Sequence, residues 1–168
     1  RDPIYIIGGF AGIAALALLL LQPLLIGGGL PGLTASQARR LHRGVGIALI
    51  TAVLLHVAAL WVTSPPDMVD ALLFVSPTPF SAWGVVAMWS LVAAALLVGL
   101  RKRLRVRWQR WRFLHVLLAS VTVAGSVVHA VLIEGAMETV SKGALCMLVL
   151  GALVLTLKDL RARGVRPR

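Results

Sequence analysis

The chain alternates between long apolar runs and short polar breaks. Apolar residues fill 4–26, 41–62, 82–100, 114–133 and 140–157 with few interruptions. A hydrocarbon core of about 30 Å is crossed by about 20 helical residues, and each run is close to that length. The pattern predicts an all-α integral membrane helical bundle of about five transmembrane helices, forming one domain over 1–168. In the first run, Gly8 and Gly12 form a small-xxx-small pair suited to close helix packing, and Gln22 with Pro23 places a kink near its end.

The breaks carry their own signals. Gly27-Gly28-Gly29-Leu30-Pro31-Gly32 matches G-x-G-x-x-G in form, but it follows an apolar span instead of a strand, so it reads as a turn and not as a nucleotide site. Thr34 and Ser36 are candidate N-caps for the second span, which ends at the interfacial anchor Trp61. Residues 63–81 hold Asp67, Asp70 and the prolines Pro65, Pro66, Pro77 and Pro79. Between them Met68, Ala71, Leu72, Phe74 and Val75 predict a short amphipathic helix that lies on the outer surface or caps a cofactor.

Composition and charge then set class and orientation. Of 168 residues, 59% are hydrophobic and 14% charged, and a mean hydropathy of +0.91 excludes an ordinary soluble domain. A formal net charge of +11 would suit a nucleic-acid partner if it lined a polar face. Instead the basic residues lie in blocks between spans: Arg39, Arg40 and Arg43; Arg101 to Arg112, with Trp108 and Trp111 interleaved; and Lys158, Arg161, Arg163, Arg166 and Arg168. Positive-inside topology places those blocks in the cytoplasm, the acidic breaks and the N-terminus outside, and the C-terminus inside. Only Arg1 and Lys142 remain as outer cations. The partner implied is the lipid bilayer, and no nucleic acid is expected. The chain starts at Arg1 rather than Met, which leaves room for a lost upstream segment.

The four histidines form two pairs, His42 with His56 and His115 with His129, each separated by fourteen residues. Fourteen helical steps return a side chain to within roughly 40° of its starting direction after a rise of about 21 Å. Both members of a pair therefore share a face, on the second and fourth spans. These two spans run the same way through the membrane, so His42 lies level with His115 near the cytoplasm and His56 level with His129 near the outside. Ionisable side chains inside a membrane are expensive and usually functional. Two imidazoles at each of two depths suit axial ligation of two haems between the second and fourth helices. Zinc, which prefers four ligands, fits less well. The stripes between the ligands read His42, Gly46, Leu49, Val53, His56 and His115, Ala119, Thr122, Ser126, His129, with Gly46 placed for close backbone approach to a ring. Arg40, Arg43 and Arg112, with Arg39 and Arg110, are candidates for the propionates of an inner haem. At the outer level the candidates are Lys142, Trp61 and Trp83. Cys146 stands alone and no C-x-x-C-H sequence is present, so the haems are expected to be b-type.

Arg40-Leu41-His42-Arg43 with the later His56, and Arg110-Trp111-Arg112-Phe113-Leu114-His115 with the later His129, resemble the ferric reductase-like transmembrane superfamily. That group includes the NADPH oxidases, the ferric reductases and the haem-binding membrane subunit of a periplasmic methionine sulfoxide reductase system. The resemblance implies that the four histidines are axial ligands and that electrons pass from the cytoplasmic haem to the outer one. It implies a cytoplasmic flavin reductase domain or subunit, or quinol, as donor. The acceptor it implies is ferric iron, oxygen or a periplasmic protein, in a bacterial inner (plasma) membrane. Members often have six spans and continue into flavin and nicotinamide domains, so a first span and a reductase domain are expected to lie elsewhere. Two alternatives stay open: a quinol-oxidising respiratory cytochrome b subunit with a quinone pocket, and a non-redox helical membrane scaffold.

Overall fold

The computed structural model describes residues 2–27, 30–134 and 137–165. Arg1, Gly28 and Gly29 of the glycine-rich turn, Gly135, Ala136, Arg166, Pro167 and Arg168 lie outside the described residues, as does the side chain of Arg163. Among the described residues seven helices follow in order: α1 Pro3–Gly27, α2 Ala35–Thr63, α3 Pro65–Leu72, α4 Pro79–Gly99, α5 Arg101–Leu104, α6 Trp108–Leu132 and α7 Thr139–Val165. Among the described residues there is no strand. The five long helices α1, α2, α4, α6 and α7 are long and apolar enough to cross a membrane, as the hydropathy pattern predicts. The protein is an all-α integral membrane protein. Large apolar side chains such as Phe10, Leu54, Leu55, Met147 and Leu148 are exposed on these helices, which is costly in water and suited to lipid.

Helix ends depart from the apolar boundaries for local reasons. Thr34, one of the two candidate caps, takes the N-cap of α2: its hydroxyl accepts from the Gln37 amide at 3.3 Å, and Gln37 Oε1 accepts from the Thr34 amide at 2.9 Å. This reciprocal box satisfies two donors that the helix start leaves open and is worth ~1 kcal/mol. It starts α2 at Ala35, so Arg39, Arg40, His42 and Arg43 stand inside the helix and not at its edge. The other histidine-bearing helix, α6, starts at Trp108, which likewise encloses Arg110, Trp111 and Arg112. Pro23 sits inside α1, which runs on to Gly27.

The short helix expected after the second span is present but ends sooner than its apolar spacing suggests. α3 stops at Leu72; Phe74 adopts φ 60°, and the amides of Val75 and Ser76 both return to the Asp70 carbonyl at 2.9 and 3.1 Å. Phe74 and Val75 therefore belong to a turn, not to the helix, and with Leu73 they leave three exposed apolar side chains.

The helices group into two compact units, Arg1–Pro65 with Ala136–Arg168, and Pro66–Gly135. In the first, α1 packs antiparallel along α2, and α7 packs on α1. A Cβ on Gly8 would stand 2.9 Å from Ala59 Cβ, so glycine sets how closely α1 and α2 approach. Cys146, Val149, Ala152 and Thr156 form the buried face of α7, and Thr156 Oγ1 donates to the Pro23 carbonyl of α1 at 3.0 Å. In the second unit α4 packs antiparallel along α6. A Cβ on Gly125 would lie 3.0 Å from the Trp83 carbonyl and 3.1 Å from Ala87 Cβ, so these backbones also nearly touch. Close packing through small residues is how helices associate where lipid removes the hydrophobic drive.

Candidate functional site

Each unit carries one histidine pair on a helix hairpin: His42 and His56 on α2 against α1, His115 and His129 on α6 against α4. His42 and His115 both stand seven residues beyond the first residue of their helix. Helical geometry then carries His56 and His129 to the far end on the same face.

The two far histidines are held alike. His56 Nδ1 donates to the Gly8 carbonyl of α1 at 2.8 Å, and His129 Nδ1 donates to the Phe80 carbonyl of α4 at 2.8 Å. Each accepting carbonyl belongs to a helix and already takes an amide four residues on, so the imidazole uses its second lone pair. That lone pair is reachable because the residue four positions on is glycine in both helices, Gly12 and Gly84. A Cβ on Gly12 would stand 3.0 Å from His56 Nδ1, and one on Gly84 would stand 2.7 Å from His129 Nδ1. The rings occupy the notches these glycines leave. Phe80 adds an edge contact, with its ring centroid 5.8 Å from that of His129 at an interplanar angle of 69°.

The two near histidines are held differently. His42 Nδ1 donates to the Gln22 carbonyl at 3.2 Å, while Gln22 Nε2 donates back to the His42 carbonyl at 3.3 Å. Ile26, not glycine, stands four residues beyond Gln22, and this contact is longer than those of His56 and His129. Gly46 lies beside the same glutamine, since a Cβ there would be 3.3 Å from Gln22 Nε2. His115 stacks on Trp111, with ring centroids 5.3 Å apart and planes 6° from parallel. Trp111 stacks in turn on Trp108 at 5.0 Å and 20°, and the Arg101 guanidinium lies 4.7 and 4.8 Å from the two indole centroids. Arg40, Arg43 and Arg112 are exposed beside the near histidines, Lys142 is half-buried in the first turn of α7, and Trp61 and Trp83 are exposed.

A carbonyl oxygen only accepts, so Nδ1 of His42, His56 and His129 carries the proton, and in the neutral ring the lone pair lies on Nε2. A backbone carbonyl behind Nδ1 orients a ligating imidazole and makes it more basic. Among the described residues no three His, Cys, Asp or Glu side chains gather as a metal cluster. Axial haem ligation asks only one imidazole on each face of the iron.

Sequence reading placed the four histidines on shared helix faces but passed over their supports. Gly12 was legible only as a packing glycine, Gln22 only as part of a kink, Trp111 only as part of the basic-aromatic lead into His115, and Gly84 not at all. A signal was there: Gly8 precedes His56 by 48 residues and Phe80 precedes His129 by 49, each with glycine four positions later.

Five apolar spans and two histidine-bearing helix hairpins define an integral membrane protein whose polar chemistry is concentrated on imidazoles. The chain belongs to the family described as ferric reductase like transmembrane component, which it matches over residues 9–126. The matched stretch takes in His42, His56 and His115 with both notch glycines, Gly12 and Gly84, and ends just before His129. No curated protein and no solved structure matches the chain. Membership points to transmembrane electron transfer, and domains of this family generally bind haem.

Proposed function

We propose that the chain is a b-type di-haem electron carrier of a bacterial inner (plasma) membrane. It takes electrons from a cytoplasmic flavin reductase or quinol and delivers them to ferric iron, oxygen or a periplasmic redox protein. The observation that carries this reading is the duplicated imidazole seat: His56 over Gly12 and His129 over Gly84, each with Nδ1 bonded to a helix carbonyl at 2.8 Å. A histidine that merely satisfied itself in a bilayer would not need the same notch twice.

Haem, when bound, supplies a one-electron iron couple. His42 with His115 would hold one such group at the inner level, and His56 with His129 the other at the outer level. The pairing rests on depth, since His42 and His115 lie at the basic ends of α2 and α6 and their partners lie at the far ends. The carbonyls of Gln22, Gly8 and Phe80 hold the Nδ1 protons and so aim Nε2. Arg40, Arg43 and Arg112 offer guanidinium groups to propionates at the inner level, and Gly46 leaves room for the Gln22 side chain that bonds the His42 carbonyl. Any flavin or quinone comes from a partner.

The test is haem stoichiometry in the purified protein. The wild type should carry two haem b per chain with low-spin, six-coordinate spectra, and His56→Ala should lose about half the haem while keeping a reducible remainder. A protein without a Soret band would be a scaffold. Full haem content in His56→Ala would remove that histidine from the ligand set.

A further inference from the structure

The first turns of α6 carry an aromatic stack that lies outside the histidine set itself. Trp108, Trp111 and His115 follow one another at i, i+3 and i+7, so their rings share one face of the helix. The two indoles are flanked by Arg101 of α5, which reaches both of them across the turn at Arg105, where the backbone adopts φ 46°. A non-glycine residue in the left-handed region costs about 1 kcal/mol or more. Here that turn brings α5 back over the start of α6. The result is a stack of indole, indole and imidazole, with the guanidinium lodged beside the two indoles.

An imidazole on a helix has two rotatable bonds. The helix restricts the first, and its neighbours must set the second. At His129 the Phe80 carbonyl and the Gly84 notch do so. At His115 the indole face lies 6° from the imidazole plane, and rotation of the ring about its Cβ–Cγ bond would drive its edge into Trp111. The indole cannot yield easily, because Trp108 backs it on one side and Arg101 is held to both rings by cation–π attraction worth about 0.5–2 kcal/mol.

We propose that Trp111, clamped by Trp108 and Arg101, is a positioning residue that sets the plane of the His115 imidazole as an axial ligand of the inner haem. This rests on the di-haem reading above. The plane of an axial imidazole governs how the ligand field splits the iron orbitals. A freed ring therefore changes the ferric low-spin spectrum even when the ligand stays bound.

The experiment is low-temperature electron paramagnetic resonance of the purified holoprotein, with haem content measured on the same samples. Wild type, Trp111→Phe, Trp111→Leu and Arg101→Gln are compared, and the inner signal is assigned as the one missing from His42→Ala. Trp111→Leu should shift or broaden the largest g value of the inner signal and leave the outer signal unchanged. Trp111→Phe, which keeps an aromatic face, should stay close to wild type, and Arg101→Gln should fall between. An inner signal unchanged in Trp111→Leu overturns the proposal, as does Trp111→Phe behaving like Trp111→Leu or an equal change in both signals. If Trp111→Leu loses the inner haem while Trp111→Phe keeps it with the native signal, the proposal stands. Wild-type protein without low-spin haem would instead overturn the di-haem reading itself.

Discussion

Replacing Gly84 by alanine adds one methyl group at the point where the structure has least room for it. The new Cβ would stand 2.7 Å from His129 Nδ1, 2.8 Å from Cε1 and 3.3 Å from Cγ. Carbon and nitrogen rest at about 3.5–4.0 Å, so the ring must retreat by about 1 Å. That retreat carries Nδ1, now 2.8 Å from the Phe80 carbonyl, beyond useful hydrogen-bond range. Losing such an orienting partner typically weakens metal binding by about 10–100-fold. Gly12→Ala is gentler, since its Cβ would stand 3.0 Å from His56 Nδ1 and 3.2 Å from Cε1, and a shift of a few tenths of an ångström relieves it. Its expected loss is about 10-fold or less. Gly9→Ala is the control, because nothing lies within 4 Å of a Cβ there. The assay is the rate at which the purified holoprotein gives up haem to excess apomyoglobin. Gly84→Ala should lose one haem fastest, Gly12→Ala more slowly, and Gly9→Ala at the wild-type rate. Wild-type retention in Gly84→Ala would refute the argument, and so would equal losses in Gly84→Ala and Gly9→Ala.

Two further predictions concern the frame around the site. Glu138 caps α7: the amides of Val140 and Ser141 donate to its carboxylate at 2.8 Å each, and the Ser141 hydroxyl at 3.0 Å. The Val140 amide first, then the Ser141 amide and hydroxyl, hold its carboxyl below the usual glutamate range. The stabilisation is therefore fully present above the ordinary glutamate pKa and is lost as pH falls through the lowered value. Protection of the Val140 and Ser141 amides against hydrogen exchange should follow that acid titration, and Glu138→Gln should abolish the dependence; flat protection across the acidic range would exclude the cap. Thr156→Val removes the hydroxyl bonded to the Pro23 carbonyl at 3.0 Å, and thermal stability in detergent should fall by about 0.6–1.7 kcal/mol. An unchanged melting temperature would mean that α7 is held to α1 by packing alone.

The fold was largely written in the hydropathy of the chain, because a bilayer admits only helices and closed barrels, and continuous apolar runs of about 20 residues select the helix. The five spans, the surface helix after α2 and the basic breaks all follow from that constraint. What hydropathy does not carry is where a helix ends beyond the lipid. α2 begins at Ala35 because Thr34 and Gln37 close a capping box, and α3 ends at Leu72 because the chain turns back onto the Asp70 carbonyl. The histidines were legible because one residue type recurred at one spacing. Their supports were not, because a backbone carbonyl has no letter in a sequence and a glycine looks the same whether it seats a neighbouring helix, as Gly8 does against Ala59, or an imidazole, as Gly84 does. Trp111 stands in a basic block where an interfacial role already accounts for it, and only coordinates reveal that its face meets His115.

The carbonyl behind each of three imidazoles also bears on the electrical character of the path. A peptide oxygen accepts a hydrogen bond but takes no proton at physiological pH, so the Nδ1 protons of His42, His56 and His129 have nowhere to go when the charge beside them changes. In the di-haem reading, an electron crossing from the basic side to the outer side travels without a proton from these ligands. Such a current is electrogenic. With the cytoplasm negative, each electron that leaves falls through the membrane field and gains about 2.3 kcal/mol per 100 mV. The membrane potential itself then becomes part of the driving force for reduction on the outer face.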